Sequence, residues 1–144
     1  MWCILIGIVA AVLEVLDTMH KRHGKRFVES VNVDLHSVAG LHPNSLRDVQ
    51  VRAVFRIRLA DGQKQLPNIY VSFSLALNAT NSKGVPQIQT ADPERLLVES
   101  DTHDIKQCDR RVWGAVMWIS KVKGWTLEET VTILADNWRR FNGI

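Results

Sequence analysis

The chain has 144 residues, 46% of them hydrophobic and 23% charged, with 4 prolines, 8 glycines and 2 cysteines. That is enough for one domain with its own apolar core, and it excludes the disordered, collagen-like and disulfide-framework classes. The formal charge of +3 is concentrated early: Lys21, Arg22, Lys25, Arg26, Arg47, Arg52, Arg56, Arg58, Lys64 and Lys83 face six acids before residue 84, and the remainder is nearly balanced.

The first element is the apolar run Trp2–Leu13, which continues into Glu14, Asp17, Thr18, Lys21, Arg22 and Lys25 at helical spacing. Opposite them lie Val12, Leu13, Val15, Leu16 and Met19, so the second half reads as an amphipathic helix. Ile4, Ile6, Ile8 and Val9 also suit a strand. A membrane span needs about 20 apolar residues, and Glu14 and Asp17 would fall inside one, so a core helix is expected. Basic charge follows the run rather than preceding it, unlike a signal peptide. An element apolar all round must be buried between elements, at a subunit interface or against a membrane surface. Trp2, Ile4 and Ile8, with the turn residue Trp125, are therefore the candidate interface residues.

Three strands follow by alternation. Val31, Val33 and Leu35 alternate with Asn32, Asp34 and His36, which places a strand over about 28–36. Val49, Val51, Ala53, Phe55, Ile57 and Leu59 alternate with Gln50, Arg52, Val54, Arg56 and Arg58, a strand over about 48–60. Ile69, Val71, Phe73, Leu75 and Leu77 point inward and Tyr70, Ser72, Ser74 and Ala76 outward in a strand over about 67–78. Asp61-Gly62 reads as the turn that pairs the last two strands as a hairpin. The fold class expected is α+β: an antiparallel meander of three to four strands, covered on one face by the N-terminal apolar helix and a C-terminal helical hairpin, in a single domain over 1–144. The wet face of the hairpin would then carry Arg52, Arg56, Arg58 and Tyr70. With Lys21, Arg22, Lys25 and Arg26, these are the candidate nucleic-acid-binding residues.

Asp92-Pro93 can open a short helix to Glu99, and a strand over 95–99 competes with it. From Ile105, the residues Cys108, Val112, Ala115, Val116, Ile119 and Val122 keep a helical period, with Trp113, Met117 and Trp118 widening the apolar sector to about residue 123. Gly124 stops that helix, and Thr126 with Glu129 forms a capping box opening another over about 127–142. Leu127, Val131, Leu134, Trp138 and Phe141 form its apolar stripe. The pair resembles a helix-turn-helix, but Lys123 and Thr130 occupy apolar positions of that motif and Glu128 and Glu129 would repel phosphates, so DNA reading is not expected.

The string Leu96–Asp104 is similar to the strand-then-SDTH opening of calcineurin-like metallophosphoesterases, whose Asp and His bind metal. The later GD and GNH motifs that such a resemblance implies do not follow, so the string is set aside; Asp34-Leu35-His36 is weaker. His20 and His23 sit among lysines and arginines that oppose a cation, and Cys108 falls on the buried stripe rather than beside His103 as a nucleophile. No Walker loop, GxGxxG, GxSxG or HExxH occurs. The expectation is a non-enzymatic, cytoplasmic binding or assembly protein working through protein–protein contacts, as a homo-oligomer or with a protein partner, with no cofactor and no metal. Nucleic-acid binding through the arginine face is the first alternative, and a small enzyme with a dispersed site the second.

Overall fold

The structure is a computed structural model and describes residues 18–19, 21–24, 32–36, 42–44 and 69–144. Its centre is a strand, β2 (Ile69–Phe73), flanked by β1 (Val33–Leu35) and β3 (Leu96–Val98) in the order β1-β2-β3. Both pairings are parallel, with Val33 opposite Ile69, Leu35 opposite Val71, Val71 opposite Leu96 and Phe73 opposite Val98. This overturns the antiparallel meander. The described partners of β2, β1 along Ile69–Val71 and β3 along Val71–Phe73, both run parallel to it; the strand expected over 48–60 and the turn at Asp61-Gly62 lie outside the described residues.

Parallel strands cannot be joined by a tight turn, and the chain returns from β2 to β3 through two short helices, α1 (Leu75–Asn78) and α2 (Gly84–Thr90), and a 3-10 turn over Pro93–Arg95. The strand expected to reach residue 78 therefore stops at Phe73. Ser74 caps α1, accepting from the Leu77 N–H, while its own N–H donates to Asn78 Oδ1 at 2.9 Å. Both polar side chains are fully buried and close the loop on itself, which leaves Leu75 and Leu77 exposed rather than inward. Gly84 permits the next turn: a Cβ there would lie 2.0 Å from the Asn78 carbonyl oxygen. Asp92 caps the 3-10 turn with Pro93 at its start, so the turn and the strand that competed for this segment occur in succession.

The two long helices are α3 (Ile105–Lys123) and α4 (Leu127–Asn142). Their limits follow from their ends: Asp104 caps α3, Gly124 terminates it in the left-handed region, and Thr126 and Glu129 form the reciprocal capping box of α4. The Thr126 N–H and hydroxyl bonds hold the Glu129 carboxyl below the usual glutamate range. Leu35, Ile69, Val71, Phe73 and Leu96 from one sheet face pack with Ile88, Ala91, Val116, Ile119 and Leu134 as the core. At the end of α3, Lys123 Nζ donates to Ala91 O at 2.7 Å and lies 5.4 Å from the Trp125 ring centre, and burial lowers its pKa.

The buried face of α4 is not the stripe read from the sequence. Leu127, Val131 and Trp138 are exposed, whereas Thr130, Leu134 and Asn137 are buried. Asn137 is the cause: its Nδ2 donates to Pro93 O at 2.7 Å and to Leu96 O at 2.8 Å, joining α4 to the entrance of β3 and turning that face inward. In α3 likewise, Trp113 and Met117 are exposed and Cys108 is only half-buried. The N-terminal helix expected to cover the sheet lies outside the described residues except at 18–19 and 21–23, which are helical. No helix among the described residues is long and apolar enough to cross a membrane.

Two substitutions test this packing. Asn137→Ala leaves two carbonyls without their donor and is expected to cost about 1–3 kcal/mol, read as a lower urea midpoint; Asn137→Asp, which sets a carboxylate against those carbonyls, should cost more. Gly84→Ala should destabilise by about 1–3 kcal/mol, because the methyl group meets backbone that cannot step aside as a flexible side chain can.

Candidate functional site at the carboxyl ends of the strands

Successive residues of a strand face opposite ways, so the register that gathers the apolar core also gathers a second set. Asp34 lies opposite Tyr70 and Ser72 opposite Leu97, which puts Asp34, Tyr70, Ser72 and Leu97 on the face away from the core. His36 and Glu99 follow β1 and β3 with the same parity. Because the strands are parallel, their carboxyl ends lie at one edge of the sheet, and the backbone ladder carries on to Glu99, whose N–H donates to Phe73 O at 3.1 Å.

At that edge four side chains from three strands meet. Ser72 Oγ is 2.9 Å from Asp34 Oδ2 and 2.8 Å from Glu99 Oε2, and the same Glu99 oxygen is 2.8 Å from His36 Nδ1. Ser72 is buried, whereas the His36 side chain is 64% exposed against 11% for Glu99. The cluster thus runs from a buried hydroxyl to an imidazole at the surface. With Nδ1 as the donor to Glu99, a neutral His36 carries its lone pair on Nε2. Burial, and secondarily the charge of Glu99, raise the Asp34 pKa above the usual aspartate value against the lowering effect of the Ser72 hydrogen bond. Asp34 Oδ1 is buried and has no hydrogen-bond partner.

Beyond Glu99 the chain turns sharply: Asp101 sits at φ 47°, in the left-handed region that a non-glycine residue enters at some cost. Asp101 and His103, the pair from the SDTH string, are both exposed. Among the described residues no three His, Cys, Asp or Glu side chains are placed to hold a metal ion.

The residues singled out from the sequence are distributed differently. Tyr70 is only 6% exposed and packs edge-on against Phe141, with ring centres 5.2 Å apart, so it is a buried ring and not an outward stacking platform. Ser72 and Ser74, expected on the wet face, are also buried. Lys21 and Arg22 are exposed on their helical turn, while Lys25, Arg26, Arg52, Arg56 and Arg58 lie outside the described residues. Trp125 is partly buried against the core, and Trp2, Ile4 and Ile8 lie outside the described residues. The grouping of Asp34, His36, Ser72 and Glu99 was missed. Its signal was the shared parity of polar residues in three strands, which gains meaning only when the strands run parallel.

No protein-family profile matches the chain, and no solved structure does. Over 72 residues the chain is 32% identical to the Cut9-interacting protein scn1 of Schizosaccharomyces pombe. Those residues make up 50% of this chain and 22% of that protein, so the similarity covers a minor part of the relative.

Proposed function

We propose that the chain carries an acid–base site for a small polar ligand at the carboxyl ends of its parallel strands, with His36 as the group that meets the ligand. The observation that carries this reading is the Glu99–His36 contact of 2.8 Å, which orients an exposed imidazole from a largely buried carboxylate. A carboxylate that accepts from Nδ1 fixes the tautomer and ring plane and leaves the ring's lone pair on Nε2. Parallel sheets commonly bind ligands outside the carboxyl ends of their strands, where the chain leaves the ladder and side chains from several strands converge. Glu99 acts here as a positioning residue.

The direct test is hydrolysis of the activated ester p-nitrophenyl acetate by the full chain and by His36→Ala and Glu99→Gln. A positioned general base contributes about 10²–10⁴-fold, so His36→Ala should lose at least tenfold in rate and Glu99→Gln an intermediate amount. Equal rates in all three proteins would sink the acid–base reading.

A second reading, contact with a protein partner, is favoured by a separate observation. The relative is named for an interaction with Cut9, and Trp113, Met117 and Trp138 stand exposed on the two long helices, where aromatic and methionine side chains suit protein contacts. Light scattering after size exclusion provides the check on self-association. Assembly that is weakened in Trp113→Ala and Trp138→Ala would support it, and a wild-type monomer at all concentrations would remove the homo-oligomer from consideration.

A further inference from the structure

We infer that the proton shared among Asp34, Ser72 and Glu99 resides on Asp34 at neutral pH, so that the cluster is a directed chain of hydrogen bonds ending at His36. Ser72 has one hydroxyl proton, yet its oxygen is within hydrogen-bonding distance of carboxylate oxygens on both sides, at 2.9 and 2.8 Å. With both carboxylates ionised, one contact would set two acceptors against each other in a buried site. One added proton removes the conflict.

Three features of the geometry place that proton on Asp34. Glu99 Oε2 lies 2.8 Å from His36 Nδ1 as well as 2.8 Å from Ser72 Oγ, and an oxygen facing two potential donors is the natural charged acceptor. Among the described residues Asp34 is hydrogen-bonded by Ser72, through its hydroxyl at Oδ2 and its backbone N–H, while Asp34 Oδ1 is buried without a hydrogen-bond partner. A neutral carboxyl bears an unpaired buried carbonyl oxygen far more cheaply than a carboxylate does. The hydrogen bonds then run one way: Asp34 Oδ2–H donates to Ser72 Oγ, Ser72 Oγ–H donates to Glu99 Oε2, and His36 Nδ1–H donates to the same Glu99 oxygen. Facing Asp34 among the described residues are Glu99 and His36 as ionisable groups, with Ser72 and Tyr70 from β2. The raised pKa of Asp34 agrees in direction with this assignment.

The consequence is that Ser72 is held as a donor to Glu99, and Glu99 as an acceptor toward His36. Asp34 is thereby a positioning residue acting through two others. That role rests on the acid–base reading above; the location of the proton does not. The sign of its pH dependence follows. The hydrogen bond from Asp34 to Ser72 contributes fully below the unfolded aspartate value and is lost as pH rises through the higher folded value. Asparagine at this position donates from Nδ2 at every pH. Asp34→Asn is therefore expected to fold, to match or exceed the wild type in stability above neutrality, and to show a flatter stability–pH curve.

The deciding experiment is infrared difference spectroscopy of the full chain at pH 7, with aspartate carboxyls isotopically labelled so that they are distinct from glutamate. One protonated aspartate carbonyl band is expected. It should vanish in Asp34→Asn, persist in Asp136→Asn and disappear from the wild type as pH is raised. Absence of a protonated carboxyl at pH 7, or a band that shifts with glutamate labelling instead, overturns the inference. Because the wild-type measurement needs no variant, a misfolded substitution leaves the answer intact. A positive band beside an ester-hydrolysis rate that ignores His36 would refute the acid–base reading while upholding the proton assignment.

Discussion

Among the described residues the strand Ile69–Phe73 is paired on both sides and shows no side chain to solvent. β1 and β3 occupy its two edges, and all five of its side chains are buried. Most of the remaining architecture follows from that confinement. Since both neighbours run in its direction, the chain must leave the sheet after β2 and come back from the opposite end, which is what α1, α2 and the 3-10 turn accomplish. The apolar side of the strand must then be roofed, and α3 and α4 supply Val116, Ile119 and Leu134 for that purpose. An antiparallel arrangement would have sent the ends of neighbouring strands to opposite edges. Here Asp34, His36, Ser72 and Glu99 arrive at the same one.

The two faces of the sheet are unlike in kind. On the core side Val71, Phe73 and Leu96 are fully buried among hydrocarbon, each burial worth about 1.5–3 kcal/mol relative to exposure. The other side contains a buried hydroxyl between two carboxyl groups, which must be satisfied by hydrogen bonds before it does anything but destabilise. Well-packed apolar side chains of similar volume are often as stabilising as buried charged groups, or more so. The Asp34–Ser72–Glu99 end of that face, beside the buried Tyr70 and Leu97, is thus poorly explained by stability alone.

How far the sequence discloses this fold depends on how local the deciding interaction is. The two long helices are legible over about 105–123 and 127–142, because each end is set by residues local to it: Asp104 and Gly124 for α3, Thr126 with Glu129 and Gly143 for α4. The inward set Ile69, Val71 and Phe73 was legible from alternation alone. Strand direction was not, since the partners of β2 stand far off in sequence at Val33–Leu35 and Leu96–Val98. Alternation also misleads: Tyr70, Ser72 and Ser74 read as wet, because a buried polar residue on the second face of a sheet looks, in sequence, like an exposed one. The orientation of α4 is hidden for a related reason: Asn137 is no part of the apolar stripe, yet it is buried, its amide donating to the carbonyls of Pro93 and Leu96. The same limitation concealed the site, whose members were each visible but whose meeting depends on parallel pairing.

Glu99 shows why the site depends so closely on the core. Its backbone N–H is the last rung of the ladder, on Phe73 O, and its carboxylate meets Ser72 and His36. One residue later in the chain the backbone is already on its way to the left-handed Asp101. A strand that slipped by a single position would exchange its faces, carrying Glu99 toward Ile119 and Leu134 and Val98 toward Ser72. The apolar set Val71, Phe73, Leu96 and Val98 resists that slip, since it would place hydrocarbon among carboxylates and a carboxylate among hydrocarbon. The register that the hydrophobic core enforces is therefore also what sets the spacing of Asp34, Ser72, Glu99 and His36. Such a cluster needs no dedicated loop to hold it: it is built on the most rigid part of the chain, with only the imidazole extending into solvent.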